Sequence, residues 1–189
     1  MKLILPLLAT LTLASPPLAL AAQQLDPSRS EIRFTARQMG VSAEGRFRKF
    51  AAQVDFHPDR LAQSRATIDI DIASISLGSP ENETELKKRA WFNLAGFPTA
   101  RFTAHRFVQR SGNQYQVDGK LTIKGISRDV SAPFTLQQSG TTLTVSGTVP
   151  LKRLQFNIGE GEWADTETVA DDVQVSFRLG LITSPTAPR

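Results

Sequence analysis

The stretch QFNIGEGEWAD (155–165) concentrates the side chains best suited to chemistry. Glu160 and Glu162 flank Gly161, and Asp165, Glu167, Asp171 and Asp172 follow closely. Paired carboxylates hydrolyse glycosides when they face each other about 5–10 Å apart across a cleft. A calcium loop places its oxygens in a D-x-D-x-D-G pattern. A phosphate cradle completes G-x-G-x-x-G between a strand and a helix. The acidic run meets none of these spacings, and neighbouring glutamates would repel an anion. The two histidines, His57 and His105, belong to no H-E-x-x-H pattern, and no G-x-S-x-G elbow occurs. With no cysteine there is no disulfide and no thiolate metal site. The expectation is a protein without catalytic residues, metal or cofactor. A secreted hydrolase using the acidic loop is the alternative.

The elements around that loop are strands. Ile32, Phe34 and Ala36 alternate with polar residues, as do Ile68, Ile70 and Ile72. The same period of two runs through Tyr115 to Ile123, Leu143 to Leu151 and Val173 to Leu181. Weaker runs lie at 41–47, 50–57, 100–108 and 130–137, and turn sequences such as RSGN (110–113) and QSGT (138–141) separate them. Strands with one wet face and short connections predict an all-β antiparallel barrel or sandwich of about eight strands. One helix is expected around 80–95. Ser79 caps it, Pro80 fits its first position, and Glu83–Lys87 and Glu85–Arg89 pair along it.

The first 21 residues read as a secretory leader. Lys2 precedes the apolar run LILPLLATLTL, and Ala19-Leu20-Ala21 has the small-x-small form of a cleavage site. The expected organisation is a signal peptide at 1–21, one domain at 22–183 and a loose tail at 184–189. The expected compartment is the periplasm, with a soluble product. The chain has 22 basic and 18 acidic residues, a net charge of +4. The surplus is scattered rather than striped, which argues against a nucleic-acid partner.

Aromatic residues remain. Eleven phenylalanines and two tryptophans stand beside one tyrosine, many of them near the helix or the acidic loop. A barrel of about eight strands can hold one small ligand. An apolar lumen suits a lipid tail. The candidate lining is Phe34, Ile68, Ile70, Ile72, Leu86, Trp91, Phe92, Phe97, Phe102, Leu121, Phe134, Phe156 and Trp163. A ligand-free structural or stress-protective protein, its barrel filled by the same residues, stays open as a third reading.

The runs SRSEIRFTARQMGVSAEGRFRKFAAQVDFHP, ATIDIDIASISLG, AWFNLAGFPTARFTA, YQVDGKLTIKGISRDVSAPF and LQFNIGEGEW carry a resemblance. Together they resemble the YceI-like family across nearly the whole chain after the leader. Family members often have histidine where Arg29 stands, Arg-Asp before the helical leucine where this chain reads NETEL (82–86), and glycine at the position of Asn157. The resemblance implies a lipocalin-like barrel that binds a polyisoprenoid or other long amphiphile in the periplasm. The GEGEWADT form (159–166) is similar to the subgroup that accompanies membrane b-type cytochromes. That similarity implies a quinone-like isoprenoid and a b-type cytochrome partner. A homodimer is a further expectation.

Overall fold

The computed structural model describes residues 23–183. The expected leader and tail lie outside the described residues. The chain forms β1 (Gln24–Gln38), β2 (Val41–Phe47), β3 (Phe50–Asp55), β4 (Arg65–Asp71) and β5 (Ile75–Ser76). After helix α1 (Pro80–Lys87) come β6 (Thr99–Ser111), β7 (Gln114–Ile123), β8 (Ile126–Ser139), β9 (Thr142–Lys152) and β10 (Asp172–Ile182). Ten strands exceed the expected eight or so, and β5 is only two residues long. All pair antiparallel in one sheet of order β3-β4-β6-β7-β8-β9-β10-β1-β2-β5. The sheet curls into a half-barrel. Near its seam Gln23 bridges Val54, and Asp71 N–H donates to Lys49 O across 3.1 Å.

The alternation sets the faces. On β10, Leu179 and Leu181 are buried, and Val175 and Phe177 also turn inward. The outer face is laced by ion pairs. Arg101 on β6 lies opposite Asp69 on β4, and its Nε and Nη2 donate to the two carboxylate oxygens at 2.6 and 3.0 Å. The β7–β8 hairpin turns on Lys124 and Gly125, both at positive φ (51° and 75°). Two such residues in a row match the right-handed twist of the paired strands. At one end of the barrel Phe56, Tyr115 and Phe134 pack together, with Tyr115 stacked on Phe134 at 5.4 Å between centroids.

The helix is shorter than expected. Ser79 caps it, and its Oγ accepts from Asn82 N–H at 3.4 Å. It stops at Lys87, and Lys88 is extended (ψ 168°). Residues 88–97 continue as turns around Asn93, which is left-handed (φ 49°). Asn93 O accepts from both Gly96 and Phe97 N–H at 2.9 Å. Burial of Trp91 outweighs helix propensity here, since the departing chain carries its ring to 7% exposure. Neither expected i,i+4 pair forms. Glu83 instead accepts from Leu77 and Gly78 N–H at 3.0 and 3.3 Å, and Glu85 pairs with Lys88.

The chain leaves the sheet after Lys152. Arg153–Phe156 is a 3₁₀ turn, ended by Asn157 in the left-handed region (φ 53°). Asp171 Oδ1 accepts Leu154 N–H at 2.9 Å, which holds the chain in that turn.

Candidate ligand-binding lumen

The inward side chains leave two chambers. The first, of about 200 Å³, is walled by Phe34 and Ala36 of β1, Ala43 and Phe47 of β2, and Val173 and Val175 of β10. Leu86 of α1 reaches it from above, with Trp91 and Phe92 from the turns that follow. Phe156, Ile158, Trp163 and Val169 enter from the loop between β9 and β10. Its polar lining is Arg37, Gln38, Asn82, Glu85 and Arg153. The second chamber, of about 130 Å³, has only apolar lining residues, among them Ile32, Phe56, Ile68, Ile70, Phe102, Leu121, Phe134 and Phe177. Leu151 and Val175 line both, so the chambers abut at that pair.

Of the expected lining residues, Phe34, Leu86, Trp91, Phe92, Phe156 and Trp163 fall in the first chamber, and Ile68, Ile70, Phe102, Leu121 and Phe134 in the second. Ile72 and Phe97 line neither. The strand ends at Asp71, whose carboxylate accepts Ala73 N–H at 2.9 Å and starts a 3₁₀ turn. That turn sends Ile72 into the protein, 2% exposed, off the lumen face. Phe97 packs instead on the β7–β8 turn, where its ring covers the bare Cα of Gly125.

Arg153 was not among the expected residues, yet it organises the loop. It is 3% exposed. Its Nε donates to Ala170 O at 3.1 Å, Nη1 to Ile158 O and Gly159 O at 2.8 and 3.1 Å, and Nη2 to Val169 O at 2.6 Å. One planar fork thus ties both arms of the loop together. Burial lowers its pKa from the ordinary arginine value, against the pull of the Asp171 charge. The guanidinium lies 5.9 Å over the Trp91 ring, and Trp163 tilts against that ring at 5.4 Å. Trp91 Nε1 is buried with no hydrogen-bond partner.

The acidic run from Glu160 to Asp172 serves this loop. Glu160 accepts from Lys124 Nζ at 2.6 Å, and the same ammonium reaches Asn157 O at 2.7 Å. Asp165 accepts the Thr168 hydroxyl at 2.7 Å and Glu167 N–H at 3.0 Å. The Thr168 bond is the first cause of its lowered pKa. Asp172 pairs with Lys152 at 2.7 Å, while Glu162 and Glu167 point to solvent. His57 Nε2 sits 2.7 Å from Asp55 Oδ1, and His105 is exposed where β6 bulges. Among the described residues, no group of three or more histidine, aspartate or glutamate side chains gathers as a metal site. No helix of the described residues is long and apolar enough to cross a membrane.

The YceI-like domain profile matches residues 23–181, almost everything described above. The chain belongs to the YceI-like family. It is similar to the UPF0312 protein plu2095 of Photorhabdus laumondii, 27% identical over 172 residues, 85% of this chain and 89% of the relative. The crystal structure of Burkholderia cenocepacia BcnA is similar with a TM-score of 0.81 and 42% identity, covering 83% of this chain and 99% of that one. A polyisoprenoid binding domain from Saccharophagus degradans, implicated in plant cell wall breakdown, shares the YceI-like fold. It has a TM-score of 0.71 at 17% identity and covers 88% of this chain and all of its own.

Proposed function

We propose that this YceI-like protein is a periplasmic carrier that shelters the apolar tail of a long-chain isoprenoid or similar amphiphile, a quinone-like lipid among them. It works as a binding protein rather than an enzyme. The observation that carries this reading is the pair of abutting chambers, the second one lined only by apolar side chains. The description of the Saccharophagus domain as polyisoprenoid-binding agrees with it.

The driving force is desolvation. Each methylene buried contributes about 0.8 kcal/mol, so roughly ten give about 8 kcal/mol before the cost of fixing a flexible chain. On this reading the head group lies among the polar residues of the first chamber and the tail beyond Leu151 and Val175. Donor and acceptor would be membranes or membrane proteins, with a b-type cytochrome as one candidate partner. Native mass spectrometry of the protein purified from its own periplasm is the test. A copurified lipid with an isoprenoid or acyl chain is the expected result. Protein that is lipid-free as isolated, and stays so after incubation with prenols and quinones, would return the reading to a filled barrel. Turnover of a secreted glycoside or ester, lost on Glu162→Gln, would favour the hydrolase.

A further inference from the structure

Three lumen phenylalanines share one arrangement. Phe34, Phe102 and Phe177 each lie across a glycine of a neighbouring strand: Gly45, Gly119 and Gly147. A Cβ built on Gly45 would stand 2.2 Å from Phe34 Cζ, and on Gly119 it would stand 2.4 Å from Phe102 Cζ. On Gly147 it would stand 2.6 Å from Phe177 Cζ. Phe34 and Gly45 are direct partners in the β1–β2 ladder, as are Phe177 and Gly147 in β10–β9. Each ring therefore occupies the volume a side chain would fill, and lies down on the wall instead of standing in the bore.

We propose that Gly45 is a specificity determinant of the first chamber: by letting the Phe34 ring lie on the wall, it keeps the bore wide enough for a branched chain. The inference rests on the lumen being the ligand site. Gly45 is the informative position because the three atoms nearest its missing Cβ all belong to the Phe34 ring. At Gly119 and Gly147 the added carbon would also strike backbone oxygens, Thr103 O at 2.6 Å and Pro133 O at 2.3 Å. Substitution there would disturb the sheet itself. At Gly45 the nearest obstacle is the ring, and it is the ring that has to give. It must retreat from 2.2 Å to an ordinary contact beyond 3.4 Å. Phe47, at 5.6 Å between centroids, stands on one side of it. Rising from the wall takes it into the chamber.

A methyl-branched chain needs more width than a straight one, so the two classes separate the effect. Geranylgeraniol and hexadecanol serve as probes, followed by the fluorescence of Trp91 and Trp163, which both line the first chamber. For Gly45→Ala the expected loss is about tenfold or more for geranylgeraniol and about twofold for hexadecanol, the scale on which an apolar pocket discriminates methyl-sized differences. Adding Phe34→Ala to Gly45→Ala should restore the branched ligand. Thermal melts of both variants confirm folding. Equal affinities in Gly45→Ala and the unsubstituted protein would overturn the inference. So would a loss that persists in the double variant while Phe34→Ala alone binds normally. If the unsubstituted protein binds neither probe, the carrier reading fails. The crystal structure of Gly45→Ala then still decides this point: a Phe34 ring turned into the chamber supports it, and a ring slid along the wall over Ala43 overturns it.

Discussion

Two residues show what single side chains do here. Arg153 was legible in principle. The alternation of Leu143, Val145, Gly147, Val149 and Leu151 continues to 153, so an arginine falls at an inward position. Period alone marked the oddity, but not that four carbonyls from the same loop would receive the guanidinium. Asp118 is the outer-face counterpart. Its carboxylate accepts from the Ser131 hydroxyl at 2.7 Å and from Arg106 Nε and Nη2 at 3.0 and 2.8 Å. The Ser131 and Gln116 bonds, then Arg106, bring its pKa from 3.8 down to about 2. The folded state thus holds the proton less tightly than the unfolded chain. The stabilisation is complete above the unfolded pKa and is lost as pH falls from about 4 towards 2. It amounts to at most about 2 kcal/mol, less after screening of a partly exposed group. Urea melts should show Asp118→Asn less stable at pH 7 and flatter across that acid window. Parallel curves for the two proteins would mean Asp118 carries no such linkage.

Among elements, the strands were readable because each alternates over a half-buried sheet. The helix end and the β9–β10 loop were not, because tertiary contacts decide them. Leu86, Ala90 and Leu94 line up at helical spacing, yet Trp91 is drawn inward and the helix gives way after Lys87. The loop's glycines and acids gave no sign that Lys124, on a distant hairpin, would fasten it. That ammonium is nearly buried, with 7% of its side chain exposed. Two charge-assisted bonds from it hold Asn157 and Glu160. Lys124→Met should cost about 1.5–3 kcal/mol. It should also speed hydrogen exchange at Gly159 and Glu160, whose N–H groups both donate to Ala90 O. Unchanged exchange at those two amides would show that the loop is held without the lysine.

For the whole molecule, the question is whether the interior is a filled core or a lumen. Ile70 on β4 lines the second chamber. In a filled core Ile70→Trp overpacks and costs about 1–3 kcal/mol. In a lumen it takes up the ligand's space. The expected outcome is a denaturation midpoint close to that of the unsubstituted protein, with most of the bound lipid gone. Lipid content and midpoint should be measured on one sample. A large fall in the midpoint with full lipid retention would contradict the two-chamber reading.

The sheet order carries a consequence for timing. β1 pairs with β10 along its length, from Gln24 opposite Ile182 to Thr35 opposite Gln174. The earliest and the latest of the described strands are neighbours. Until Val173 to Ile182 have been made and are free to move, β1 lacks the partner on one of its two sides. The wall of the first chamber likewise lacks Val173 and Val175. Non-local pairing of this kind cannot begin early. A half-synthesised chain therefore has no vessel to close. The wall of both chambers is complete only after β10 arrives.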